Sequence, residues 1–283
     1  MKKAWIITLA MIISIAQAQP PVQVTAGFHH PESVYQSGKN LYVADIGEAM
    51  SPVAKDGDGS IGRVDLSTGQ LADAHFLPVD GKLNAPKGMA MNGDTLYVAD
   101  VDRIVGFDVV SRRQVAEIAI NGTGFLNDLV LGDGILYASA TDNGKIYAID
   151  LKTLRYAALP VDSIAGANGL YYTGHKLYCV SIGNWSHPDG TVYVIDVPKN
   201  TMEKLGDYKG LLDGVIILGN TLYFSDWGKD QKGVLLAMDL STKVVRALPG
   251  TISGPADFTI SKDRRYFIIP EMLQGKILYR PLP

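Results

Sequence analysis

Ten residues ahead of each of five tyrosines stands a polar side chain: Glu32 before Tyr42, Lys87 before Tyr97, Asn127 before Tyr137, Asn168 before Tyr178, Asp213 before Tyr223. A sixth, Asp257, stands nine residues before Tyr266. One Asn or Asp ahead of an apolar run is an ordinary turn residue. A polar residue at one offset in five places is a pattern whose chemistry can be read. Glu32, Asn127, Asn168 and Asp213 offer four oxygen ligands and two negative charges. Oxygen donors without thiolate or imidazole suit calcium first, then magnesium or manganese, with zinc also admissible. Two carboxylates brought together repel unless a cation pairs them.

The elements that would position this set follow from the spacing. The tyrosines recur at intervals of 55, 40, 41, 45 and 43 residues. Five belong to Leu-Tyr pairs (41–42, 96–97, 136–137, 177–178, 222–223), and Arg265-Tyr266 reads as a weaker sixth copy. A period of 40–45 residues marks a propeller or another repeat array. The fifth copy reads as four strands, GVIILG, TLYFSD, VLLAMDL and VVRALPG, with Gly219-Asn220 as the tight turn between the first two. Such runs are rich in the β-branched and aromatic residues of half-buried strands. No stretch holds a convincing 3.6-residue apolar period, so helices are minor. The expected fold is all-β: a six-bladed β-propeller of four-stranded blades, forming one domain over residues 19–283. The sixth copy ends at KILYRPLP after three strands, while VQVTAGF near the start is a strand without a blade. Residues 22–28 are therefore expected to close the last blade, leaving no long free edge. In a propeller the first strands line the central channel, so the six polar positions should converge on the axis at one face.

The loops between second and third strands return to that same face. Three are notable: IGEAMSPVAKDGDGSIG in blade 1, SIGNWSHPDGT in blade 4 and DWGKDQKG in blade 5. They make Trp185, His187 and Trp227 candidate substrate contacts, since specificity resides in loops held by a rigid scaffold. His29 and His30 precede Pro31-Glu32 and are candidates to shuttle a proton near neutral pH. The string KDGDGSIG lacks the spacing and closing glutamate of a calcium loop and reads as a hairpin turn.

Composition excludes other classes. The chain of 283 residues has a net charge of −3 and only 19% charged residues, with no basic stripe for nucleic acid. Its single cysteine, Cys179, rules out a disulfide within the chain and a thiolate metal cluster. The first 18 residues read as a secretory signal: Lys2 and Lys3, an apolar run from Ala4 to Ile15, and Ala16-Gln17-Ala18 as the cleavage site after Ala18. The expectation is a periplasmic or secreted monomer, with no membrane attachment once the signal is cleaved.

Four short segments, PESV at 31–34, FLNDLVL at 125–131, GANGLYY at 166–172 and LLDGVII at 211–217, carry a resemblance. In order, one per blade, they resemble the metal-binding segments of the regucalcin/gluconolactonase/luciferin-regenerating-enzyme family of six-bladed propellers, over essentially the whole chain after the signal. The resemblance implies hydrolysis of a lactone or other ester with a divalent ion. It makes Glu32 the acidic ligand, Asn127 and Asn168 amide ligands, and Asp213 a ligand that is also the catalytic carboxylate. Asp128 would steady the asparagine shell. Two positions depart from relatives on this scaffold. Phe125 stands where sugar-lactone members carry an arginine, and Lys87 stands where paraoxonases carry a histidine. Lys87 is expected to pair with Asp257 across the channel, and both join Phe125 among the side chains expected near substrate. Phe125 and Lys87 also favour the alternative, a non-catalytic periplasmic propeller of the NHL type that binds a ligand or a protein.

Overall fold

The computed structural model describes residues 23–283; the signal segment lies outside the described residues. Six antiparallel sheets form the ring. Blade 1 contains β2 (Pro31–Ser37), β3 (Asn40–Asp45), β4 (Ser60–Asp65) and β5 (Gln70–Leu77). It follows β1 (Gln23–Ala26) in the chain. Blade 2 contains β6 (Pro86–Asn92), β7 (Thr95–Asp100), β8 (Arg103–Asp108) and β9 (Arg113–Ala119). Blade 3 contains β10 (Leu126–Gly132), β11 (Ile135–Ala140), β12 (Ile146–Asp150) and β13 (Arg155–Ala158). Blade 4 contains β14 (Ala167–Thr173), β15 (Lys176–Ser181), β16 (Val192–Asp196) and β17 (Thr201–Lys204). Blade 5 contains β18 (Leu212–Leu218), β19 (Thr221–Asp226), β20 (Lys232–Asp239) and β21 (Val245–Ala247), with β22 (Ile252–Ser253) added against β20. Blade 6 contains β23 (Thr259–Ile260), β24 (Tyr266–Glu271) and β25 (Lys276–Pro281), and β1 is its outermost strand. The one helical element among the described residues is a 3-10 turn, Met272–Gln274. No described helix is long and apolar enough to cross a membrane.

The ring closes as the missing fourth strand required. β1 pairs antiparallel with β25 in the register Val24↔Leu278, Thr25↔Ile277. Phe28, Val34 and Val64 from the start of the chain share one core with Ile268, Ile277 and Tyr279 from its end. Five more apolar cores fill the remaining gaps between blades. The Leu-Tyr pairs serve two of these cores each, because neighbouring strand residues face opposite sides of a sheet. Leu96 packs toward blade 1 while Tyr97 packs toward blade 3. Leu222 packs toward blade 4 while Tyr223 packs toward blade 6.

The sixth copy is offset from the sequence reading. There the paired positions are Phe267 and Ile268, facing the two flanking cores, rather than Arg265 and Tyr266. The physical reason is the hairpin. Leu218 meets Thr221 across Gly219 and Asn220, whereas the last hairpin spans Ser261 to Tyr266 with two more residues in its turn.

Candidate active site

A repeated irregularity aims the polar residues into the channel. In blade 3 Leu126 pairs with Ala140 and Leu129 with Ala138, so Asn127 and Asp128 oppose one residue. The same bulge occurs at Lys87-Gly88, Asn168-Gly169 and Asp213-Gly214, and at Glu32 in blade 1. A bulge bends the strand and re-aims a side chain. It gives each inner strand two channel positions, an upper and a lower one.

The upper positions are Glu32, Lys87, Asn127, Asn168 and Asp213, all buried. In blade 6 Pro255 bridges Glu271 as Leu212 bridges Asp226, which puts Ala256 at the upper position. Asp257 thus belongs to the lower ring with Ser33 and Asp128, and its Oδ2 accepts the Ser33 hydroxyl at 2.7 Å. The longer sixth hairpin displaced the count from Tyr266. The expected pairing of Lys87 with Asp257 is not formed. Lys87 is fully buried, and its Nζ donates to the carbonyls of Pro52 at 2.8 Å and Ala85 at 2.7 Å. It also stands 5.4 Å from the centre of the Phe125 ring. These bonds tie the long blade 1 loop to the channel wall.

The lower ring explains three glycines. A Cβ on Gly88 would lie 2.4 Å from Asp128 Cα, one on Gly169 would lie 2.1 Å from the carbonyl oxygen of Asp213, and one on Gly214 would lie 2.8 Å from Asp257 Cα. Each glycine lets the next blade's inner strand close in. Asp128 occupies the same position in blade 3, where its carboxylate accepts N–H bonds from Leu129 at 2.7 Å and from Leu170 at 2.6 Å. It bolts blade 3 to blade 4 and does not line the cavity.

The upper ring floors a cavity of about 230 Å³. Glu32, Lys87, Asn127, Asn168 and Asp213 form the floor, and Phe125, Trp185 and Trp227 stand on the wall. Trp227 does more than pack: its Nε1 donates to Asp213 Oδ2 at 2.7 Å. Trp185 meets Trp227 edge-on, with ring centres 6.3 Å apart. His187 is exposed on its loop and does not line the cavity. His29 and His30 are outside the lining too; their backbone N–H groups donate to the Asp45 carboxylate at 2.7 and 2.8 Å.

Five buried side-chain polar atoms among the described residues have no hydrogen-bond partner, and three are on this floor: Glu32 Oε2, Asn168 Oδ1 and Asp213 Oδ1. Buried oxygens without partners are costly and rare. Burial raises the Glu32 carboxyl well above its usual range, Asp213 adds to the rise, and Lys87 opposes it. Burial also pushes Asp213 up to about 7, against the pull of the Trp227 bond and with a further push from Asp257. Burial pulls Lys87 down to about 8, against the attraction of Glu32 and Asp100. Acceptors lacking donors fit a hard cation, which would satisfy the oxygens and offset the repulsion of the carboxylates. The floor mixes two carboxylates with two amides, and no group of three His, Cys, Asp or Glu side chains placed to hold a metal occurs among the described residues.

One set of positioning residues escaped sequence reading. Asp45, Asp100 and Asp226 end the second strands and accept backbone N–H bonds from the loops that lead into their own blades. Their signal is visible in YVAD, YVAD and YFSD, each closing a second strand at one offset from the tyrosine.

No family model matches the chain, and no curated protein matches it by sequence. Solved structures match its fold. A virginiamycin B lyase from Staphylococcus aureus superposes with a TM-score of 0.64 at 13% identity, covering 93% of this chain and 99% of that one. A hydrazine synthase from Kuenenia stuttgartiensis gives 0.61 at 14%, covering 92% and 77%. A nidogen/laminin complex gives 0.58 at 22%, covering 80% and 78%. At these identities the likeness is one of fold.

Proposed function

We propose that the protein is an exported metal-dependent hydrolase that opens a lactone or cleaves another ester at the channel mouth. The observation that carries this reading is the cluster of three unpartnered buried oxygens, Glu32 Oε2, Asn168 Oδ1 and Asp213 Oδ1, on the floor of one cavity. Together with Asn127 they are the residues that would hold a divalent ion, calcium before magnesium or manganese. When bound, such an ion supplies Lewis-acid polarisation of a carbonyl oxygen. The chain supplies the rest. Glu32 contributes the second negative charge and orients through its place on the bulged strand. Asp213, on the cavity floor, has one oxygen fixed by Trp227 and the other buried without a partner. A carboxylate fixed in this way at the cavity is placed to orient water and accept its proton. Phe125 and Trp227 set apolar rings beside the buried floor, and a low local dielectric strengthens charge interactions there.

The test is turnover of a lactone and ester panel by chelator-treated protein before and after calcium is added back. Activity that disappears with the chelator and returns with the ion supports the reading. Ion binding without turnover of any member points instead to a binding propeller.

A further inference from the structure

The floor of the cavity is polar and its wall is not. Above the ring, Met50, Phe125, Ile182, Trp185, Trp227 and Met272 face the space, contributed by five of the six blades. Gln231 is the polar exception, at the exposed rim. Trp185 is 57% exposed and Met50 44% exposed. The other large exposed apolar residues among the described ones are valines and one leucine. Scattered exposed valines are normal for a soluble protein. The exposed Trp185 and Met50 both line this one recess together with Phe125, Trp227 and Met272, and a concave site lined mainly by apolar and aromatic side chains with a few polar groups is the build of a small-molecule pocket.

We propose that this wall is a subsite for an unbranched alkyl tail, so that the ligand is a small amphipathic molecule with its oxygenated head on the floor. The proposal rests on the hydrolase reading only for the identity of that head, a lactone or ester carbonyl. Beyond Gln231 at the rim and the Trp185 indole N–H, the wall offers no hydrogen-bonding group to a polyhydroxylated ring, most of whose hydroxyls would lose their water against Phe125 and Trp227 without replacement. A recess of about 230 Å³ is also smaller than the roughly 300–1,000 Å³ of pockets for drug-sized ligands. A head and a short chain fill it.

The molecule carries its own reporter. Of its three tryptophans, Trp5 lies outside the described residues and the other two are both on this wall. Calcium-loaded protein is titrated with γ-butyrolactone, γ-hexalactone, γ-octalactone and γ-decalactone, and with glucono-δ-lactone, following tryptophan fluorescence, with KM from turnover in parallel. Affinity is expected to rise about four-fold per added methylene over the first carbons of the tail, the usual gain for burying that group. Glucono-δ-lactone should bind more weakly than every tailed member. Trp185→Ala should flatten the dependence on tail length without changing calcium affinity. Equal affinities across the series, tighter binding of glucono-δ-lactone, or no response to any member at its solubility limit would overturn the subsite. Tail-dependent binding without turnover leaves the subsite standing and removes the hydrolase. Turnover blind to the tail does the reverse.

Discussion

Asp213 has two oxygens in different situations: Oδ2 is held by the Trp227 N–H, and Oδ1 is buried without a partner. Asp213→Asn keeps the size and one ligand oxygen but removes the basic site. Turnover should fall by about 10²–10⁴, the span for losing a positioned general base, and saturating calcium should not restore it. Glu32→Gln should act through ion affinity, so added calcium should recover much of its activity. Rescue of Asp213→Asn would make that residue a ligand only. The raised carboxyl also sets a pH dependence. The unfolded chain loses the Asp213 proton near pH 4, but the metal-free folded chain keeps it to about 7. Metal-free stability should therefore decline as pH rises from about 4 to 7, since the unfolded state sheds its proton first. Calcium displaces that proton, so the calcium-induced rise in Tm should grow across the same window. Thermal melts at pH 5 and pH 8, with and without calcium, check both signs. A calcium-induced shift larger at pH 5 would count against Asp213 as a ligand.

At the scale of elements, the inner strand with its bulge is the device that makes the site. Gly169 shows how tight the arrangement is. Gly169→Ala sets a Cβ against the Asp213 carbonyl, and overpacking of this kind costs about 1–3 kcal/mol. The variant should melt earlier than wild type and bind calcium more weakly, because the strand that moves carries a ligand. Unchanged melting and affinity would mean that the blades do not need this approach. Much of this element was legible in the chain. Five tyrosines announced the period, and a fixed offset picked out Glu32, Asn127, Asn168 and Asp213 as neighbours. The offset worked because those hairpins share one turn length. It failed at Asp257, where two extra turn residues shift the register and place Ala256 in the upper ring. The Trp227 bond to Asp213 was not legible, because it depends on where a loop side chain folds back. The duty of Lys87 was hidden for a similar reason, since its partners are backbone carbonyls that carry no residue signal.

At the scale of the molecule, closure holds the ring of oxygens together. β1 is the strand that joins the two ends, and it pairs only with β25. A chain beginning at residue 29 should expose the β25 edge, melt earlier and self-associate at concentrations where the intact protein does not. If it stays monomeric and melts with the intact protein, the closing strand is dispensable. A closed ring also fixes how many ions the channel mouth can hold, because each blade offers one upper position. Calorimetric titration of chelator-treated protein with calcium measures that number directly. One ion per chain is predicted, lost or strongly weakened in the Glu32→Gln, Asp213→Asn double variant while its circular dichroism stays that of the wild type. No heat of binding at millimolar calcium, magnesium or manganese, or wild-type binding by the double variant, would contradict the site.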